Sequence, residues 1–224
     1  MAKSFNKSRR DKTLSGILLR YSVPPDNSCL FTSVYFGVSN GKFDNSASYS
    51  LRVIIADAVA ADPQTYNETY LDQSNENYCN WILKEDSWGG AIELSILSNY
   101  YGIEIVVVNI VSTSLHKFGE DKNYSERILL IYNGNHYDPL MFQRFGDEDD
   151  IQTLFPTSNE EFLNMALEIA RELKSTDFNS RESNEELILK CFICKKLFEN
   201  KTEAQRHYEN TGHYAFCNIK QSED

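Results

Sequence analysis

The chain has 224 residues, 41% hydrophobic and 25% charged, with 33 acidic against 22 basic side chains and a formal net charge of −11. This suffices for one domain of ordinary size plus a small module, with a core that needs no disulfides. No run of about 18 apolar residues occurs, which excludes a membrane-spanning helix, and the acidic balance disfavours broad nucleic-acid binding and suits a basic protein partner.

In chain order, residues 1–12 are basic and polar with no apolar stretch behind them, so they form no secretory signal and read as a disordered tail. Residues 17–23 (ILLRYSV) read as a short strand. Pro24-Pro25-Asp26-Asn27-Ser28 is a stiff turn ending in capping-type residues. From Cys29, apolar side chains recur at Leu30, Phe31, Val34, Tyr35 and Val38, which places Cys29 at a helix N-terminus. A second helix is predicted over 47–61, with Leu51, Ile54, Ile55, Ala58 and Val59 inward. Residues 64–90 are less regular and end in Ser87-Trp88-Gly89-Gly90.

A helix over 91–101 with Gly102 as its stop leads into a buried strand at 103–111 (IEIVVVNIV). Residues 112–125 read as a polar loop, 127–132 as another strand, and Asn133-Gly134-Asn135 as a tight turn into His136-Tyr137-Asp138-Pro139. The order gives an α/β or α+β domain over residues 13–145. Residues 146–186 supply an acidic loop, an amphipathic helix at 162–173 and a serine-rich linker from Lys174, and residues 187–219 form the last unit.

That unit carries Cys191-x2-Cys194 and His207-x5-His213 with twelve residues between the pairs, a Cys2His2 spacing for one structural Zn²⁺ on a ββα unit. Phe198 stands where such fingers place a core aromatic, whereas Ala204 replaces the usual larger aliphatic, so the expected core is thin. If the helix read DNA, Asn200, Glu203 and Arg206 would contact bases. A lone finger covers only about three base pairs, and residues 187–220 hold six Lys/Arg against three Glu, so protein binding or a structural role fits better.

Five cysteines, an odd number with two only three apart, do not form a secreted disulfide framework, and a reducing compartment, cytosol or nucleus, fits better. Outside the finger, only Cys29 follows a turn and opens a helix, where the dipole and free backbone N–H groups stabilise a thiolate. The amides of Asp26 and Cys29 could serve a developing oxyanion. His136 follows a turn at a strand edge, and Asp138 falls on the same face if the stretch is extended, where it would orient the imidazole. From the residues alone, Cys29 could equally be a buried small hydrophobe and His136 part of a surface turn. His116 reads as a solvated loop residue, and Cys79 and Cys217 as structural.

Asp26-Asn27-Ser28-Cys29-Leu30-Phe31 resembles the Cys loop of the ovarian-tumour (OTU) deubiquitinases. Trp88-Gly89-Gly90 before Ala91-Ile92-Glu93-Leu94 resembles the W-G-G segment of that family, and Asn133-Gly134-Asn135-His136-Tyr137-Asp138 its His loop, all in the family's order. With the finger, the layout is similar to the OTU subfamily that works beside the AAA unfoldase of ER-associated degradation. The resemblance implies a papain-like cysteine protease fold and hydrolysis of isopeptide bonds in polyubiquitin through a thioester. It makes Cys29 the nucleophile, His136 the base, Asp138 the orienting acid and Asp26 a further active-site acid. Asn135, Trp88, Gly89 and Gly90 would line the path of the ubiquitin tail. That subfamily docks on its unfoldase through a UBX-like domain ahead of the protease; only a short tail up to Gly16 precedes the first strand here, so the expectation is either that this docking is lacking or that the sequence is a fragment. The competing expectations are a catalytically weak ubiquitin-binding module and a zinc-finger protein without enzymatic activity.

Overall fold

The predicted helices and strands follow one another in blocks along the chain, and the computed structural model describes residues 15–44, 46–146, 149–175 and 188–218. The predicted tail and most of the predicted linker lie outside these residues. Strand β1 (Gly16–Arg20) leads through the proline turn into α1 (Cys29–Val38). Next come α2 (Ala47–Ala61), α3 (Glu68–Leu71), α4 (Asn75–Ile82) and α5 (Ala91–Tyr101). The short helices α3 and α4 fall where the sequence looked irregular; Asn67 and Ser74 cap them, accepting from the amides of Tyr70 and Asn77. Gly102, at φ +65°, closes α5 as its spacing predicted.

Strands β2 (Glu104–Asn109), β3 (Ser114–Phe118), β4 (Glu126–Tyr132) and β5 (Tyr137–Arg144) follow. The expected loop at 112–125 thus contains a strand and, at Glu120–Lys122, a 3-10 turn. Because β3 pairs only with β2, at the sheet edge, it needs few apolar residues, and its polar make-up hid it.

The packed core continues past residue 145. Strand β6 (Ile151–Gln152) pairs with β5, β7 (Phe155–Pro156) pairs with β4, and α6 (Glu161–Ser175) lies on the sheet. The last unit adds β8 (Leu189–Cys191), β9 (Leu197–Phe198), α7 (Lys201–Thr211) and β10 (Ala215–Asn218). It is therefore ββαβ rather than the expected ββα, and its extra strand joins it to the rest. The main path of the sheet runs β3-β2-β4-β5-β1-β10-β8-β9, with β2/β4 and β1/β10 parallel.

Strand alternation distributes side chains among three cores. Leu18, Val106, Val108, Leu129 and Ile131 pack against Phe162, Met165 and Ile169 of α6. Ile105, Val107, Ile128 and Leu130 face the opposite layer, formed by α1, α2, α4 and α5. Ile17 and Leu19, on the other face of β1 from Leu18, enter the finger core with Leu189, Phe198, Ala204 and Phe216. The small Ala204 is thus compensated by Phe216 from β10 and by two side chains of β1.

Candidate active site and metal site

Cys29 is the first residue of α1, with Ser28 at its N-cap. Asp26 Oδ1 accepts from the Ser28 amide (2.8 Å), a turn that aims the thiol out of the positive end of the helix. The two expected oxyanion amides are not both free. The Asp26 N–H donates to the Pro24 carbonyl at 2.8 Å, because the proline pair folds the loop back on itself, while the Cys29 N–H faces the Asp26 carbonyl only loosely, at 3.4 Å.

His136 sits one residue before β5, the next strand over from β1. Its backbone is set by Asn133, whose Oδ1 accepts from the amides of Asn135 (2.9 Å) and His136 (2.8 Å), with Gly134 at φ +102° between them. Ser33 of α1 donates to the Tyr137 carbonyl (3.1 Å), tying the cysteine helix to the histidine strand. The imidazole Nε2 lies 3.1 Å from Asp138 Oδ1. Hydrogen bonds with Asp138 and then with the Cys29 thiol outweigh burial and push the His136 pKa up to about 9. The thiol, imidazole and carboxylate thus come together from two distant segments.

Asp138 is 1% exposed. Burial alone would raise its pKa. The His136 hydrogen bond, the Arg20 guanidinium and the Val23 amide (2.9 Å) together hold it below the usual carboxylate range. Arg20, at the end of β1, donates from Nε at 2.6 Å and pairs through Nη2 with the same carboxylate oxygen. Sequence reasoning missed Arg20, although it is the one charge in the apolar run ILLRYSV.

An open cleft of about 340 Å³ adjoins the thiol, lined by Asp26, Asn27, Trp88, Gly89, Asn135 and Tyr137 among others. Trp88 is 56% exposed and donates from its indole N–H to Asn27 Oδ1 (2.5 Å). A side chain at Gly89 would meet the Phe31 ring at 3.0 Å and Leu30 at 3.2 Å, so glycine lets the segment pack tightly on α1, and a larger residue would need those side chains to yield by a few tenths of an ångström. Gly90 does not line the cleft: it stands at the N-cap of α5, its amide held by Glu93 Oε2 (2.6 Å). Tyr132 and Tyr137 stack with ring centroids 4.3 Å apart, and the Tyr132 hydroxyl donates to the Gly134 carbonyl. Both tyrosines shape the site and were not singled out from the sequence, where they read as ordinary strand aromatics. His116 lies exposed on β3 beside Ser114. Burial pushes the Cys217 thiol up to about 12, as suits a core residue.

At the finger, the β8–β9 hairpin presents Cys191 and Cys194, α7 presents His207, and Gly212 (φ +71°) turns the chain so that His213 comes alongside. The four ligand atoms lie within 4.8 Å of one another. Cys191 Sγ to His213 Nδ1 is 3.7 Å, Cys194 Sγ to His207 Nε2 is 3.4 Å, and His207 Nε2 to His213 Nδ1 is 3.1 Å. A tetrahedral ion with bonds of about 2.0–2.3 Å requires edges of about 3.3–3.8 Å, so the cluster suits one metal ion once its widest separations, up to 4.8 Å, contract around it. Asn200, a base-contacting position had the helix read DNA, caps α7 by accepting from the Glu203 amide (2.9 Å).

Similarity to known proteins extends over most of the chain. Ubiquitin thioesterase Otu1 of Drosophila melanogaster is 47% identical over 205 residues, covering 92% of this chain and 58% of that protein. Ubiquitin thioesterase OTU1 of Gallus gallus is 44% identical over 209 residues, covering 91% and 67%. The chain thus spans roughly three fifths to two thirds of these relatives. A solved ovarian-tumour (OTU) domain in complex with ubiquitin superposes with a TM-score of 0.65 at 32% identity, covering 76% of this chain and 99% of that one. The sequence profile of the OTU-like cysteine proteases matches residues 24–145, more than half of the chain, and the protein belongs to that family.

Proposed function

We propose that this protein is a ubiquitin-directed cysteine protease that hydrolyses isopeptide bonds of polyubiquitin. The observation that carries the reading is the convergence of Cys29, His136 and Asp138 beside a cleft walled by Trp88 and Gly89. The names of the relatives and the ubiquitin bound to the solved OTU domain support the substrate class. In this reading Cys29 Sγ attacks the carbonyl carbon of the scissile bond while its proton resides on His136. The Cys29 amide, held only loosely, turns to the oxyanion, and Asp26 contributes by holding the loop. His136 protonates the departing lysine amine, leaving a thioester on Cys29. It then takes a proton from the water that releases the ubiquitin carboxylate, and Asp138 keeps the imidazole aligned throughout. Asn135 and Gly89 flank the narrow path that a Gly-Gly tail would follow.

Zn²⁺ is the metal proposed for Cys191, Cys194, His207 and His213, since two thiolates and two imidazoles are its preferred structural ligand set. Bound there, it cross-links the β8–β9 hairpin to α7 and serves the fold rather than the reaction. A cytosolic or nuclear setting is proposed from the odd number and spacing of the cysteines, two of which the metal would take.

The decisive experiment treats zinc-loaded, reduced protein with ubiquitin bearing a C-terminal electrophile. Wild type should form a covalent adduct and Cys29→Ala should form none while still binding ubiquitin. A folded wild type that forms no adduct would sink the enzyme reading and leave a ubiquitin-binding module in its place.

A further inference from the structure

Arg52, in the middle of α2, is 1% exposed and among the largest fully buried side chains. Its hydrogen bonds go to backbone carbonyls and a hydroxyl rather than to a carboxylate. Nη1 donates to the Ile82 carbonyl (3.0 Å), and Nη2 donates to the carbonyls of Asn27 and Glu85 (both 3.2 Å) and to Ser28 Oγ (3.4 Å). The guanidinium lies 4.1 Å from the centre of the Phe31 ring. Burying this charge is costly even with both terminal nitrogens hydrogen-bonded, since Nε has no partner among the described residues, and helix packing alone would be met by an apolar residue.

The acceptors belong to two separate segments. Asn27 and Ser28 form the loop directly before the nucleophile, whereas Ile82 and Glu85 belong to the turn that delivers Trp88 and Gly89 to the cleft. One guanidinium therefore ties the cysteine loop to the cleft wall. Trp88 makes a second tie to Asn27, through the side-chain oxygen. The peptide between Asn27 and Ser28 is fixed at both ends, its carbonyl by Arg52 and its amide by Asp26 Oδ1. The Cys29 amide follows across the φ and ψ of Ser28 alone, so anchoring that plane narrows the directions it can take.

We propose that Arg52 is a positioning residue which, together with Trp88, holds the Asn27–Ser28 peptide so that the Cys29 amide and thiol meet the scissile carbonyl in register. The proposal rests on the cysteine-protease reading above. Arg52 touches neither substrate nor thiol. Its removal should impair the step that needs an aligned backbone donor and spare both ubiquitin binding and simple thiol chemistry.

The test compares wild type, Arg52→Lys and Arg52→Gln on ubiquitin carrying a C-terminal fluorogenic amide, with iodoacetamide alkylation of Cys29 and the thermal midpoint measured in parallel. Lysine keeps the charge but lacks the fork that reaches both segments. The expected result is a fall in kcat of about 10- to 100-fold, the size that a misplacement near 1 Å produces. KM and the alkylation rate should stay within about twofold. An unchanged kcat in a folded variant would overturn the proposal. So would a loss of kcat matched by an equal loss of alkylation, which would mark a merely structural role. Should neither Arg52 variant fold, Trp88→Phe cuts the exposed tie to Asn27, and an undiminished kcat there would be equally fatal. Wild-type turnover is scored first, so its absence counts against the enzyme reading and not against Arg52.

Discussion

Asp138 has both carboxylate oxygens engaged, one by the Val23 amide and the His136 ring and the other by Arg20. Arg20→Met would strip one of the two cations from a buried carboxylate and leave its second oxygen without a partner, and we expect a loss of up to about 3 kcal/mol in urea unfolding together with reduced turnover. A loss below about 1 kcal/mol would mean that the amide and the imidazole suffice to hold it. His136 gives a pH signature. Its folded pKa of about 9 exceeds the ordinary value of 6.5 because Asp138 and Cys29 hydrogen-bond to it. The charged ring therefore stabilises the fold fully below about pH 6.5, and that stabilisation is lost as pH rises through about 9. The difference in thermal midpoint between wild type and His136→Gln should shrink over that window; a constant difference from pH 6 to 10 would refute it. At this scale the sequence was most legible where chemistry narrows the choice of residue: the four finger ligands stand in the arrangement their spacing suggested, and Cys29, His136 and Asp138, which only the family resemblance had grouped, lie together. Arg20 and Arg52 were not legible, because each acts on a partner more than 20 positions away, and no local pattern encodes such a meeting.

The helix α6 shows how elements outside the matched family segment belong to the same core. Phe162 sits between Phe142 of β5 and Phe155 of β7, with ring centroids 5.3 and 4.5 Å away. Phe162→Ala should cost about 3–5 kcal/mol in a single unfolding transition that includes the active site. If the loss of α6 and the loss of adduct formation separated into two transitions, the helix would be an appendage after all. Periodicity predicted this helix correctly but not its place, since an amphipathic stripe says that a face is buried and not against what. The same limit concealed β3 and β10. A four-residue strand such as β10 is too short for alternation to stand out, and it is recognised only by the β1 edge that it meets.

For the molecule as a whole, β1 is the common member. It pairs with β5, which carries Asp138 and follows directly on His136, and on its other side with β10 of the finger. Metal removal should therefore be felt outside the finger. The Gly16 amide, which donates to the Tyr214 carbonyl at 3.0 Å, should lose its hydrogen-exchange protection after chelation, while the amides of β2 and β4 keep theirs. Unchanged exchange at Gly16 would show that the finger stays folded without metal. The parallel pairing of β1 with β10 has a mechanical consequence as well. The segment entering β1 and the segment leaving β10 depart from opposite ends of the seam. Traction between them slides one strand along the other and loads the seam's hydrogen bonds simultaneously, in shear, whereas an antiparallel seam gripped at one end would unzip bond by bond. The join between the finger and the OTU-like domain is thus oriented to resist being pulled apart along the chain.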